Sequence, residues 1–228
     1  MPGRHHTAWI LQANDRLYLF DAGEGCAYTA CMMGLDLTRL HAVFIFHPHI
    51  DHNGGLPHVI GVRNKMKSKW KKKFAVSPLP VYTPMPSQIA ALQDFWTATA
   101  VNRYDYSLGK NFVPRKVSDG KVFDDGIIRV EAIHNMHCGI PEDGIWRAFS
   151  YRISINGKKI AYSGDIKHLE EMAPFLQDCD ILLMENGHHK PWEVAAQIRS
   201  PPSWNVKKLL FLHHGIKDKV FRSKIHIR

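Results

Sequence analysis

The segment His47-Pro48-His49-Ile50-Asp51-His52 places three imidazoles and one carboxylate within six residues. It directly follows the apolar residues 42–46, a run with the length of a buried strand. On an extended or looped backbone, residues two positions apart can point the same way, so the first two histidines are expected to bind one ion. Asp51 and His52 would then face a second ion. Neutral imidazoles and carboxylates suit Zn²⁺, and also Fe or Mn.

Three more apolar runs of strand length end in the same way, at polar or ionisable residues. They are residues 17–20, followed by Asp21; residues 181–184, followed by Glu185, His188 and His189; and residues 209–212, followed by His213. Ionisable groups at the ends of buried strands are what a site at one edge of a sheet requires.

Other patterns predict the fold class. Residues 149–155 alternate apolar and polar side chains, Asn156-Gly157 suits a tight turn, and residues 158–163 return as the second strand of a hairpin. Helices are predicted at residues 53–61, 86–99, 167–176 and 191–199. Strands and helices in this mixture predict an α/β layered sandwich. No internal repeat or linker interrupts the chain, so residues 1–228 are expected to form a single domain.

The composition is that of a folded domain. Of 228 residues, 45% are hydrophobic and 22% charged, which excludes disorder as a description of the whole chain. No run of about 18 apolar residues occurs, and the start has no apolar stretch of signal-peptide type, so a cytoplasmic protein without a membrane partner is expected. The four cysteines form no Cys-x-x-Cys pair, which favours free thiols over disulfides or a thiolate zinc site.

One loop cannot complete a metal site, and the further candidates also stand near strand ends. They are His134 or His137 after the strand predicted at 127–132, Asp165 after the hairpin strand, and His213 after the last strand. A single carboxylate such as Asp165 can bridge two ions with one oxygen on each. One ion would then be bound by His47, His49, His137 and Asp165, and the other by Asp51, His52, Asp165 and His213. This set leaves a position for a shared water or hydroxide, the layout of a two-metal hydrolase.

In their order along the chain, these motifs resemble those of the metallo-β-lactamase superfamily. The resemblance covers residues 17–214 and rests on Asp21-Ala22-Gly23-Glu24-Gly25, on His-x-His-x-Asp-His at 47–52, on Gly55-Leu56-Pro57, on residues 130–137, on Tyr162-Ser163-Gly164-Asp165 and on residues 209–213. It implies a four-layer αββα sandwich and a metal-dependent hydrolase. Its third-histidine motif favours His137 over His134 as the ligand. Compared with the family, the chain is expected to be shortened at both ends.

Within the superfamily, the ligand set resembles the phosphodiesterase branch, which includes ribonuclease Z, because histidine and not cysteine fills the ligand positions. Two divalent ions, two carboxylates and one hydroxide leave a site charge of roughly +1, which attracts anions. The chain adds a formal net charge of +9, from 30 Lys and Arg against 21 Asp and Glu. A small anionic ester, most of all a phosphodiester, is therefore the expected substrate.

The resemblance also implies roles beside the metal ions. Residues 189–196 are similar to a ribonuclease Z segment, and this similarity implies that His189 is a general acid for the leaving group. A loop or supporting role for His188 and His189 is the alternative. Asp51 is the second predicted catalytic residue. Asp21 is expected to shape the turn beside the site, and Glu185 to orient an imidazole.

A lysine-rich stretch offers a second kind of partner. Residues 63–73, from Arg63 to Lys73, carry seven positive charges and one tryptophan, which can hold a phosphate backbone and stack a base. The alternative is a solvated loop. The interval 151–165 holds only a tight hairpin, whereas ribonuclease Z carries a long arm for tRNA there. Shortened ends would expose a sheet edge that a second subunit can cover, which favours a homo-oligomer.

The sequence thus predicts a dinuclear metal hydrolase, with Zn²⁺ as the favoured ion and Mn or Fe as alternatives. A lactone or thioester hydrolase of the same fold is a second hypothesis. A mononuclear iron dioxygenase acting on persulfides is a third, although Asp51 and His213 would then bind no metal. A nucleic-acid-binding module with purely structural metal ions is a fourth.

Overall fold

Two mixed β-sheets form the centre of the molecule. The computed structural model describes residues 6–69, 78–99, 112–200 and 204–214. The first sheet contains, in spatial order, β1 (Trp9–Ala13), β2 (Arg16–Phe20), β3 (Leu40–Phe44), β4 (Leu79–Thr83) and β5 (Phe112–Lys116). Strand β1 runs antiparallel to β2, and the other neighbours in this sheet are parallel.

The second sheet combines a hairpin meander with parallel strands. Its spatial order is β6 (Gly120–Asp124), β7 (Arg129–His134), β8 (Phe149–Ile155), β9 (Lys158–Tyr162), β10 (Ile181–Asn186) and β11 (Leu209–His214). Neighbours from β6 to β9 are antiparallel, whereas β9, β10 and β11 are parallel. The predicted hairpin is confirmed as β8 and β9.

The sheets pack on each other through alternate side chains, because successive residues of a strand point to opposite faces. In β2, Tyr18 and Phe20 lie in the core between the sheets. Leu17 and Leu19 point the other way and pack in the outer core, which lies between the first sheet and its helices. Phe46, just beyond β3, contacts Tyr151 and Tyr162 of the second sheet edge to face, with ring centroids 4.3 and 4.2 Å apart. Each aromatic pair adds about 0.5–1.5 kcal/mol beyond burial, so these contacts fix one sheet against the other.

Helices cover the outer face of both sheets. The first sheet is covered by α1 (Cys26–Met32), α3 (Leu56–Lys69) and α4 (Pro86–Thr99), and the second by α5 (Ala173–Leu176) and α6 (Pro191–Arg199). A short helix, α2 (Ile50–Asn53), lies within the loop that follows β3. The layers run helix, sheet, sheet, helix, which confirms the predicted αββα sandwich. Within the described residues, no helix combines the length and apolar character needed to cross a membrane.

The prediction of a lysine-rich loop at residues 63–73 is wrong for its first part. Helix α3 continues to Lys69 instead of ending near residue 61, because Val62 and Met66, four positions apart, pack against the outer core. Arg63 is only 4% exposed, and burial lowers the pKa of its guanidinium to about 10. Arg63 therefore belongs to the packed interior and does not offer a surface charge to nucleic acid. Residues 70–73 lie outside the described part of the chain.

The fold brings the predicted functional loops to one edge. Strands β2 and β3 are parallel, so Asp21 and the loop at 47–52 leave the first sheet on the same side. The backbones of the two loops touch, because Gly55 donates a hydrogen bond of 2.7 Å from its N–H to the carbonyl of Ala22. A Cβ atom on Gly55 would lie 2.2 Å from the carbonyl oxygen of Gly23. Only glycine allows this approach.

Replacement of Gly55 by alanine is expected to destabilise the fold by about 2–3 kcal/mol, because the added methyl group would force the two loops apart. Gly144→Ala is the matched control, since Gly144 also has restricted geometry, with φ of 70°, but nothing lies within 4 Å of a Cβ there. Its cost should be about 1 kcal/mol of backbone strain. Urea unfolding of both variants measures the difference, and equal losses would contradict the close-packing explanation.

Candidate metal centre

The loop after β3 is held by contacts on both sides. Beyond the strand, the Ile45 N–H donates to the carbonyl of Tyr82 at 2.8 Å, and the Phe149 N–H donates to the carbonyl of Phe46 at 3.1 Å. The carbonyl of Pro48 accepts from the side-chain amides of Asn53 and Gln88, at 2.9 and 2.7 Å. The loop is thus fixed to both sheets before any ligand binds.

Asp21 lies behind this loop and orients one of its histidines. The carboxylate is fully buried, accepts from the Phe46 N–H at 3.1 Å, and lies 2.7 Å from Nδ1 of His52. The Tyr162 hydroxyl donates to the same carboxylate at 3.2 Å. With Nδ1 directed at Asp21, His52 presents Nε2 to the other carboxylates, 3.5 Å from Asp165. A carboxylate behind a histidine fixes its tautomer in this way in metal sites.

Two buried histidines differ in charge because their neighbours differ. Burial lowers the pKa of His52, but the carboxylates of Asp21 and Asp165 outweigh burial and raise it to about 10. Burial, with the neighbouring His52, lowers the pKa of His47 to about 2, so His47 stays neutral. Neither ring nitrogen of His47 has a hydrogen-bond partner among the described residues. A neutral, buried imidazole with no hydrogen bond to either nitrogen fits a metal ligand.

The structure brings most of the predicted ligands together. The ligand atoms of His47, His49 and His137 lie within 4.8 Å of one another, and so do those of His47, His52 and Asp165. Within the first group, Nε2 of His137 lies 3.3 Å from Nδ1 of His49.

Asp165 directs its two oxygens toward different histidines. Its Oδ2 is 4.0 Å from Nε2 of His47 and 3.7 Å from Nε2 of His137, whereas its Oδ1 is 3.5 Å from Nε2 of His52. Asp51 adds a carboxylate on the His52 side, with Oδ2 at 3.6 Å from the His52 ring. Six of the predicted ligands thus converge on one place, and a concentration of carboxylates and imidazoles suits a divalent ion.

The sequence offered His134 and His137 as alternative ligands near the end of β7. In the structure His137 lies in the cluster, whereas His134 does not. His134 lies 2.6 Å from Asp119 and stacks on Trp146, with ring centroids 4.1 Å apart. The backbone of His137 donates to Asn135 at 3.0 Å, and Asn135 donates to the hydroxyl of Ser150. This turn moves the third residue after the strand into the site.

The two histidines after β10, His188 and His189, have different neighbours. His188 lies with its Nδ1 3.7 Å from Asp165, and His137, Asp165 and His188 form a third group that could bind a cation. His189, the predicted general acid, has its Nε2 3.0 Å from the carbonyl oxygen of Ile166. Both rings face Glu185, at 3.3 and 3.5 Å, and burial raises the pKa of that carboxyl group.

Sequence reasoning gave His188 no ligand role, and only its adjacency to His189 after a strand end drew attention to it. The last strand, β11, extends to His214, so His213 lies within it and not after it as predicted, and its side chain is outside the described part of the chain.

Comparisons with known proteins agree on a family. A family model described as the beta-lactamase superfamily domain matches residues 16–219. The Ribonuclease Z of Treponema pallidum (strain Nichols) is 40% identical, over 85% of this chain and 72% of the relative. The Ribonuclease Z of Picrophilus torridus is 23% identical, over 94% of this chain and 81% of the relative.

Solved structures share the fold. Human tRNase Z, short form, is 20% identical and has a TM-score of 0.66, with 95% of this chain and 88% of that chain covered. The metallo-β-lactamase fold protein YhfI from Bacillus subtilis is 16% identical and has a TM-score of 0.68, with coverage of 96% and 83%.

Asp165→Asn is expected to weaken binding of divalent metal ions by at least about a hundredfold, because a carboxylate that faces both ligand groups loses its charge. His134→Ala should bind metal within about twofold of the original protein, since His134 contacts Asp119 and not the cluster. Competition with a chelator, followed by elemental analysis, measures both. Equal losses in the two variants would overturn the choice of His137.

Proposed function

The chain belongs to the metallo-β-lactamase superfamily, in its ribonuclease Z-like branch, and from this premise we propose that it is a dinuclear metal-dependent phosphodiesterase. The single observation that carries the proposal is the position of Asp165. Its two oxygens are directed at different histidines, with Oδ2 3.7 Å from Nε2 of His137 and Oδ1 3.5 Å from Nε2 of His52. A bridging carboxylate needs this arrangement.

Seven residues are proposed to bind the ions. They are His47, His49, His137 and Asp165 for one ion, and Asp51, His52, Asp165 and His213 for the other. Zn²⁺ suits this set best, with Mn or Fe as alternatives. When bound by these residues, two such ions would supply an activated water as nucleophile and would stabilise the negative charge that develops on a phosphoryl group.

The chain's own residues prepare this site. Asp21 fixes the His52 ring through Nδ1, and burial keeps His47 neutral and able to bind a cation. Metal binding to His52 must displace a proton, because its pKa without metal is raised to about 10. The net charge of +9 favours anionic substrates at the same site. The name Ribonuclease Z of the relatives supports RNA as the source of the phosphodiester.

Hydrolysis breaks a P–O bond, and the leaving oxygen must gain a proton. The sequence resemblance assigns this proton to His189, whose Nε2 already lies 3.0 Å from a backbone carbonyl. His188 is better placed, since its side chain is 48% exposed and lies 3.7 Å from Asp165. We therefore assign proton donation to His188. In this assignment, buried Glu185 positions both rings.

His188→Ala should lower kcat by about a hundredfold or more on a dinucleotide, whose alkoxide leaving group needs a proton. The loss on bis(p-nitrophenyl) phosphate should be much smaller, because p-nitrophenolate leaves without one. His189→Ala is the matched control and should show no such dependence on the leaving group. If His188→Ala loses equally on both substrates, His188 binds metal or supports the fold instead. If only His189→Ala shows a loss that depends on the leaving group, His189 is the proton donor.

The activity itself is tested with protein loaded with Zn²⁺ or Mn²⁺ and a panel of phosphodiesters, lactones and thioesters. We expect hydrolysis of phosphodiesters, with loss after chelation and recovery on metal addition. Hydrolysis of lactones or thioesters, without hydrolysis of phosphodiesters, would favour a lactone or thioester hydrolase of the same fold. One iron per chain together with oxygen uptake would favour the dioxygenase and overturn the hydrolase.

A further inference from the structure

Exposed apolar side chains collect in the segments that border the metal centre. The described residues include eight large hydrophobic side chains that are exposed. Four of these stand next to site residues: Ile50 directly follows His49, Ile140 and Ile145 lie in the loop after His137, and Trp192 follows His189 by three positions. Since isolated apolar side chains are normal on a surface, the informative feature is that half of the exposed ones lie on the chain segments that carry the site residues.

Trp192 is the largest of the four and lies at the start of α6. Val194 and Ile198 bury the inner face of this helix, whereas Trp192 is 67% exposed. Nζ of Lys190 lies 5.8 Å from the centroid of the indole ring and also pairs with Glu193 at 2.9 Å. An exposed indole thus has a cation beside it, and neither is needed to pack the helix.

The segment before α6 is tied to the site through its two histidines. The Nε2 of His189 lies 3.0 Å from the carbonyl oxygen of Ile166, the residue after Asp165. The backbone N–H of His188 donates to Glu185 at 3.0 Å. Helix α6 begins at Pro191, with Lys190 as the residue before it, so Trp192 follows the histidine pair by three and four residues on one short segment. The indole therefore belongs to the segment that carries His188, the residue assigned above to protonate the leaving group.

We propose that Trp192 and Lys190 form a nucleobase subsite on the leaving-group side of the scissile phosphodiester. The base stacks on the indole, and the lysine ammonium group pairs with the adjoining phosphate. Bases stack on aromatic side chains whatever their identity, and a neighbouring cation holds the backbone. This subsite rests on the proposed phosphodiesterase function, and it narrows the substrate to a diester that carries a base next to the bond that breaks.

The test pairs two changes, one in the protein and one in the substrate. The substrates are an RNA dinucleotide and its two analogues with an abasic ribose on one side of the diester. The variants are Trp192→Leu, which removes the ring, and Trp192→Phe, which restores one. Tyr28→Leu is the matched control, because Tyr28 is 66% exposed but lies on α1.

With the unaltered protein, removal of the base on the leaving-group side should raise KM by about tenfold, whereas removal of the other base should change KM little. Trp192→Leu should raise KM for the intact dinucleotide by a similar factor and should abolish the preference for the base on the leaving-group side. Trp192→Phe should recover most of the preference, and Tyr28→Leu should behave like the unaltered protein. A base preference unchanged in Trp192→Leu would overturn the subsite, and so would equal losses on intact and abasic substrates.

Binding separates this inference from the proposed function. A fluorescently labelled dinucleotide with a non-cleavable phosphonate linkage is titrated into metal-loaded protein, and anisotropy gives the Kd. A tenfold weaker Kd in Trp192→Leu supports the subsite even if the unaltered protein cleaves no diester, a result that would overturn the hydrolase alone. An unchanged Kd overturns the subsite while leaving any observed cleavage valid.

Discussion

The contact between Asp21 and His52 is the interaction on which the rest of the site depends. Both side chains are completely buried, and Nδ1 of His52 lies 2.7 Å from the carboxylate. The same carboxylate accepts from the backbone of Phe46 and from the hydroxyl of Tyr162 in the second sheet. One acidic group therefore ties the loop at residues 47–52 to both sheets. A buried carboxylate is costly unless it is paired in this manner, so the loop, the strand ends and the histidine ring take one arrangement together.

The packing of the two sheets holds Asp21 and His52 at the distance that their contact requires. Aromatic side chains between the sheets fix their separation, and Phe46 reaches Tyr151 and Tyr162 directly before the first histidine of the loop. The backbone then approaches so closely that Gly55 cannot carry a side chain. On the second sheet, Asp165 comes two residues after Ser163, whose N–H donates to the carbonyl of Leu183. The packing that holds the sheets together thus also sets the distances between imidazoles and carboxylates.

The sequence revealed those features that recur as local patterns. Apolar runs followed by ionisable residues predicted β2, β3, β10 and β11, and alternation with Asn156-Gly157 predicted the hairpin. The resemblance favoured His137, which lies in the cluster. Packing between residues far apart in the sequence could not be predicted. Helix α3 extends past residue 61 because Val62 and Met66 pack against residues of other elements, and Arg63 is buried in the same helix. His188 was undervalued because its relation to Asp165 depends on the turn after β10, which spacing does not specify.

The central claim is that this edge binds two divalent ions bridged by Asp165. Anomalous diffraction from a crystal of the zinc-loaded protein tests it most directly. We expect two peaks about 3.5–4 Å apart, the first beside His47, His49 and His137 and the second beside Asp51 and His52, with one Asp165 oxygen toward each. A single peak bound by His137, Asp165 and His188, with Asp51 and His52 away from the ion, would contradict the dinuclear site.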